Sequence, residues 1–162
     1  MLGSKYAREN CSAARALDVV GERWSLLIIR NAAFAGMTRF SEFERSLGIA
    51  PNILTKRLAD FVANGLMAID ESATGGGREY RLTEKGAELG QVVIALTAWG
   101  DRWAAPDGPP VVYRHSGCGG ECGARTACDR CGAEVAVPGI EAHPGPGATE
   151  AQRQRLESRL GG

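Results

Sequence analysis

A glycine at position 48, set between two short stretches of helical apolar spacing, constrains the fold of this chain more than any other feature. Thr38-Arg39-Phe40-Ser41 opens a predicted helix running to Leu47, with Phe40, Phe43 and Leu47 on one side. Ser41 to Glu44 has the Ser-x-x-Glu form of a capping box, which predicts a first helical residue near Glu42. Gly48 ends that helix, and Pro51 stands in the first turn of the next, where proline is best tolerated. This next helix is predicted from Pro51 to Asn64, closed by Gly65. Two helices joined by a short turn containing a glycine form the helix-turn-helix pattern.

The flanking segments extend that pattern. Arg15 to Val20 and Trp24 to Ala35 are predicted helices, broken at Gly21 to Arg23 and stopped at Gly36. Met67 to Glu71 and Glu79 to Leu82 have strand character, and the Ser72-Ala73-Thr74-Gly75-Gly76-Gly77 run between them predicts a hairpin with a loose tip, a wing. Thr83 then caps a long predicted helix to Trp103, with Leu89, Val92, Val93, Leu96, Trp99, Gly100 and Trp103 along one broad face. The expected fold class is therefore mainly α with a small β-hairpin (α+β), a winged helix-turn-helix, followed by a small zinc-ribbon-like extension. Pro106 to Pro110 marks a composition break, giving expected domains at 1–105, 106–137 (cysteine-rich) and 138–162. Within the last, Thr149 and Gln152 are spaced to cap a short helix, but the Pro/Gly linker and polar composition favour a flexible tail.

The helix from Pro51 carries the functional expectation. Advancing about 100° per residue, Leu54, Leu58, Phe61 and Val62 form a buried stripe, which leaves Asn52, Lys56, Ala59 and Ala63 on the opposite face, flanked by Thr55 and Arg57. Small residues permit close approach to a DNA major groove, and Asn52 and Lys56 near the N-terminal end reach base edges or phosphates. Arg57 and the positive helix end favour backbone phosphate. Arg39, opening the preceding helix, and Arg78, just past the glycine tip, complete the candidate DNA-binding set.

Net charge is zero, with 19 basic and 19 acidic residues, yet the charges are unevenly placed. Residues 1–66 hold nine Lys/Arg against six Asp/Glu, and the remainder of the chain is slightly acidic. An enzyme is disfavoured. There are only two histidines, His115 and His143, no phosphate-binding glycine loop before a helix, and no nucleophile motif; Ser41 and Ser46 lie in a helix without partners. The absence of a signal peptide pattern and of a long apolar run predicts a cytoplasmic protein with no membrane partner.

Five cysteines, an odd number, argue against a disulfide framework. His115-Ser-Gly-Cys118-Gly119 and Cys128-Asp-Arg-Cys131-Gly132 share the form ligand-x-x-Cys-Gly of a zinc knuckle. Together His115, Cys118, Cys128 and Cys131 number enough for a closed structural Zn2+ site. A set using Cys122 in place of His115 competes with it, as do free thiols or a redox pair.

The residues resemble the HxlR-type winged helix-turn-helix transcriptional regulators, in a subtype with a cysteine-rich C-terminal extension. The likeness rests on Cys11, Leu17-Asp18-Val19-Val20-Gly21-Glu22-Arg23-Trp24, Arg39-Phe40-Ser41-Glu42-Phe43 and Leu47-Gly48-Ile49. It continues through Asn52-Ile53-Leu54-Thr55-Lys56-Arg57-Leu58, Glu79-Tyr80-Arg81-Leu82-Thr83-Glu84-Lys85-Gly86 and Trp99-Gly100, and covers about residues 10–103. It implies a bacterial, sequence-specific regulator binding double-stranded DNA as a homodimer, on an operator with two half-sites. It also implies a small-molecule or oxidant effector: in some members the N-terminal cysteine senses oxidants, quinones or other electrophiles, and here Arg8 and Arg15 lie near enough to Cys11 in sequence to favour a thiolate. The competing reading of Cys11 is a small buried interface residue. Two positions depart from the family pattern: Ala50 replaces a capping serine, and Ser12 a proline. The alternative function is a winged-helix protein-interaction module without DNA contact, kept open by zero net charge and the acidic Asp70 and Glu71.

Overall fold

A computed structural model describes residues 10–71 and 77–161 of the chain, which divides into two compact units. Among the described residues one unit is 15–124, and the other joins 10–14 to 125–161. The division falls at residue 124, inside the cysteine-rich segment. Within the first unit the ring of Tyr113 lies 4.5 Å from that of Phe34, a contact that holds the start of the cysteine-rich segment on the helices.

In chain order the elements are α1 (Ser12–Val20), α2 (Ser25–Phe34), α3 (Phe40–Leu47), α4 (Pro51–Ala63), β1 (Met67–Asp70), β2 (Glu79–Leu82), α5 (Glu84–Trp103) and α6 (Glu150–Leu160). Ile28 and Ile29 of α2, Phe43 of α3 and Leu54, Leu58 and Phe61 of α4 are fully buried together, as their periodicity predicts. Val93 of α5 closes this core, because α5 lies along α2. Gly48 ends α3 in the left-handed conformation at φ 59°, so the backbone turns sharply into α4. No helix among the described residues is long and apolar enough to cross a membrane.

The wing is an antiparallel pair with Met67 opposite Leu82 and Asp70 opposite Glu79. Most of its expected glycine tip, residues 72–76, lies outside the described residues. A third backbone segment joins it: Tyr80 N–H donates to the Thr38 carbonyl at 2.7 Å, and Arg39 bridges to Glu79. The entry to α3 is thereby an edge of the wing.

Two local expectations are corrected. Helix α3 begins at Phe40, two residues earlier than the Ser41–Glu44 box predicts, because the Glu42 carboxylate caps it instead. One oxygen, Oε2, accepts from the amides of Thr38 and Arg39, each at 2.9 Å. The tail expected to be flexible contains α6. Thr149 and Gln152 cap it reciprocally, and Gln152 Nε2 donates to the Asn10 carbonyl at 2.8 Å while Asn10 Nδ2 donates to Gly147 O. These bonds supply what the nearly all-polar sequence of α6 lacks.

Candidate nucleic-acid interface

Helix α4 presents the predicted face outward: Asn52, Thr55, Lys56, Ala59 and Ala63 are all exposed, opposite the buried Leu54, Leu58 and Phe61. Thr55 Oγ1 donates back to Pro51 O at 2.8 Å, which leaves its oxygen outward as an acceptor. Ala50 stands at the N-cap and offers no side-chain oxygen to the first turn. The positive end of the helix dipole is therefore uncovered by any side-chain cap, at the end where Asn52 and Lys56 project.

Arg57 departs from the expected arrangement. Its side chain is 8% exposed, with Nη2 3.1 Å from Asp60 Oδ2 one turn on. The guanidinium is folded along α4 beside the core, which removes it from the outward surface. A helical wheel placed it on a flank; the long aliphatic stem and the carboxylate three residues away decide which way the flank turns.

Arg39 and the wing form a charged network. Arg39 Nε lies 3.3 Å from Glu79 Oε1, and Arg81 Nη2 lies 2.6 Å from Glu79 Oε2. Arg81 also reaches Asp70 at 3.2 Å across the strand pair. Glu79 is buried while both arginines stay largely exposed, so one shielded carboxylate orients two surface cations. Arg78 stands at the root of the wing tip, exposed and only loosely paired with Glu71 at 3.8 Å.

Glu42 and Glu79 organise this surface through their contacts, and the sequence reasoning missed both. Glu42 has its carboxyl held below the ordinary range by the Arg39 amide first and the Thr38 amide second. A Glu three residues after Arg39 is a signal of this cap, masked by the Ser41–Glu44 match. Glu79 has no such signal, since its partners are distant in sequence or on its own strand.

The two ligand-x-x-Cys-Gly segments fall one in each unit. In the first, His115 Nδ1 lies 3.2 Å from Cys118 Sγ. In the second, the amides of Cys131 and then Arg130, with the Cys131 thiol, donate to Cys128 and hold its thiol below the ordinary range. Among the described residues, no group of three or more His, Cys, Asp or Glu side chains is placed to hold a metal ion. Cys11 is exposed immediately before α1; Arg8, invoked for its thiolate, lies outside the described residues.

A glycine-hinged helix pair, a second helix with an exposed face of small, amide and basic side chains, and a wing tied to the first helix define a winged helix-turn-helix DNA-binding protein. Residues 19–108, more than half of the chain, match the HxlR-like helix-turn-helix family, and the chain belongs to that family. Its members are transcriptional regulators, not enzymes. The chain is 42% identical over 141 residues to the uncharacterized HTH-type transcriptional regulator Rv3095 of Mycobacterium tuberculosis, covering 86% of this chain and 89% of that one. Among solved structures it is similar to PA1607, provisionally assigned as a transcription factor (37% identity, TM-score 0.75, 85% of this chain and 96% of that one). It is also similar to the redox regulator HypR in its reduced form (29% identity, TM-score 0.51, 57% of this chain and 92% of that one).

Proposed function

We propose that this regulator acts in the cytoplasm as a homodimer on an operator of two half-sites, with α4 in the major groove of each. Asn52, Thr55 and Lys56 face the base edges and adjoining phosphates, Ala59 and Ala63 allow the helix to seat closely, and Arg39 and Arg78 meet the backbone on either side. The observation that carries this reading is the exposed face of α4, free of carboxylates between Asn52 and Ala59. Arg57 is left out of the contact set because Asp60 holds it.

The dimer reading is supported by α5. Val92, Leu96, Trp99 and Trp103 recur at heptad-like spacing and stand exposed, the two tryptophans by 62% and 66%. Such a stripe on a small domain marks an association surface, and a second copy of the same helix is complementary to it. Thiol control at Cys11 is supported by the exposure of that residue and by the similarity to HypR, although Cys11 precedes the span that matches the family.

The test is binding of the purified protein to its own upstream DNA across a salt series, with and without a mild thiol oxidant, alongside its mass in solution. Salt-sensitive binding by a dimer supports the reading, and weakening by oxidant that Cys11→Ser abolishes supports the sensor. Binding indifferent to oxidant removes the sensor alone. Absence of selective DNA binding in a genome-wide selection, with weakly salt-dependent capture of a protein partner, favours the interaction-module alternative. A monomer at micromolar concentration overturns the dimer.

A further inference from the structure

The chain after α5 folds back against that helix and leaves a hollow of about 160 Å³ between the two. Ile94, Ala98 and Asp101 of α5 line one side, and Val111, Val112 and Tyr113 the other. All six lie within the unit 15–124. Spaced four and three apart, the α5 residues take the side of the helix opposite the exposed Val92, Leu96, Trp99 and Trp103.

The wall facing α5 is held in place. Tyr113 packs its ring on Phe34 at 4.5 Å, and its carbonyl accepts the Cys122 amide at 2.8 Å, which pins the returning segment at both ends. Asp101 sets the chemistry of the hollow. It is half-buried, in the last turn of α5. That turn carries the negative end of the helix dipole, so a carboxylate there is disfavoured unless a cation offsets it. Among the described residues no basic side chain lies within ion-pair distance of Asp101. Arg102, the basic residue of the same turn, stacks its guanidinium over the Trp103 ring at 4.9 Å instead. Glu121, the other carboxylate at the hollow, has Arg114 3.8 Å away. One uncompensated negative charge thus borders a mainly apolar hollow.

We propose that this hollow binds a small organic ammonium ion, a free amine whose apolar body is about the size of one ring. A cavity of about 150 Å³ with apolar walls takes up benzene, which sets that size. The body displaces water from Ile94, Ala98, Val111 and Val112, the Tyr113 ring supplies an aromatic wall, and the ammonium pairs with Asp101. Asp101 and the helix end repel an anion of the same shape, and a neutral molecule forgoes the ion pair.

The test titrates benzylammonium into the full chain by calorimetry, with NMR shifts to locate it. Benzyl alcohol and benzoate keep the ring and change the charge; ammonium chloride keeps the charge and lacks the ring. All are run at matched ionic strength. The expected result is saturable binding of benzylammonium, roughly tenfold tighter than the other three, with shifts centred on Ala98, Asp101 and Val111. Asp101→Asn is expected to lower benzylammonium affinity to that of benzyl alcohol. The thermal midpoint of the free variant stays equal or rises, because a disfavoured charge is gone. Ala98→Leu fills the hollow and abolishes binding with helix content unchanged. Benzoate or benzyl alcohol binding as tightly as benzylammonium, unchanged affinity in Asp101→Asn, shifts centred elsewhere, or no saturable benzylammonium binding overturns the proposal. These readouts need neither DNA nor a dimer, so they stand or fall apart from the regulator reading.

Discussion

Arg39 Nε lies 3.3 Å from Glu79 Oε1, joining the N-cap of α3 to the first residue of the second wing strand. Forty residues of sequence separate these two groups, and the helix pair lies between them. With the bond from the Tyr80 amide to the Thr38 carbonyl, this ion pair ties the wing to the entry of the helix-turn-helix. Glu79→Gln, which keeps the shape and removes the charge, is expected to cost about 1 kcal/mol, because the arginines it orients are exposed and solvent screens them. DNA affinity falls by more than stability does, as Arg39 loses its alignment. Chemical denaturation and DNA titration on the same variant check the difference.

Lys56 and Arg57 are adjacent basic residues expected to behave oppositely. Lys56→Ala removes an exposed charge, so DNA binding weakens, the salt dependence shallows by about one unit, and stability is unchanged. Arg57→Ala removes a buried stem and strands little charge, since Asp60 is half-exposed. Stability falls by about 1–2 kcal/mol while the salt slope holds. Equal salt slopes for the two variants would refute this division of roles.

Gly86, in the first turn of α5, faces the Leu66 carbonyl so closely that an added Cβ would overlap it. That carbonyl also accepts the Thr83 amide at 3.0 Å and is not free to move. Gly86→Ala is expected to lose about 1–3 kcal/mol, although alanine favours helices. A thermal midpoint equal to or above the wild type would show that the turn yields.

The cap of α3 makes an acid-dependent contribution. Glu42 titrates below its ordinary 4.5 when folded because the Arg39 and Thr38 amides stabilise its carboxylate. The contribution is fully present above pH 4.5, the unfolded value, and is lost as pH falls through the lower folded value. Glu42→Gln is expected to lower stability at neutral pH and to flatten the acid limb of the profile. Denaturation from pH 7 to pH 3 checks both.

Local pattern made most of the winged helix-turn-helix legible in the sequence. The apolar spacing of α4, the glycines at 48 and 65, the proline at 51 and the Thr83 cap each act within a few residues, so they can be read without a structure. The outward face of α4 followed from the same periodicity, and its exposed Asn52, Thr55 and Lys56 lie where the pattern put them.

Tertiary structure decided the rest, wherever two groups far apart in sequence compete with a nearby one. Glu79 captures Arg39 across the fold, and Asn10 steadies a tail helix that its own composition would not support. Phe34 meets Tyr113 across almost eighty residues of sequence and so places the start of the cysteine-rich segment on the helical unit. Rotamer choice within one turn placed Arg57 inward, a decision governed by the packing around its stem. Periodicity determines which face of an element is buried; which polar group satisfies which other depends on distances that exist only once those faces have met.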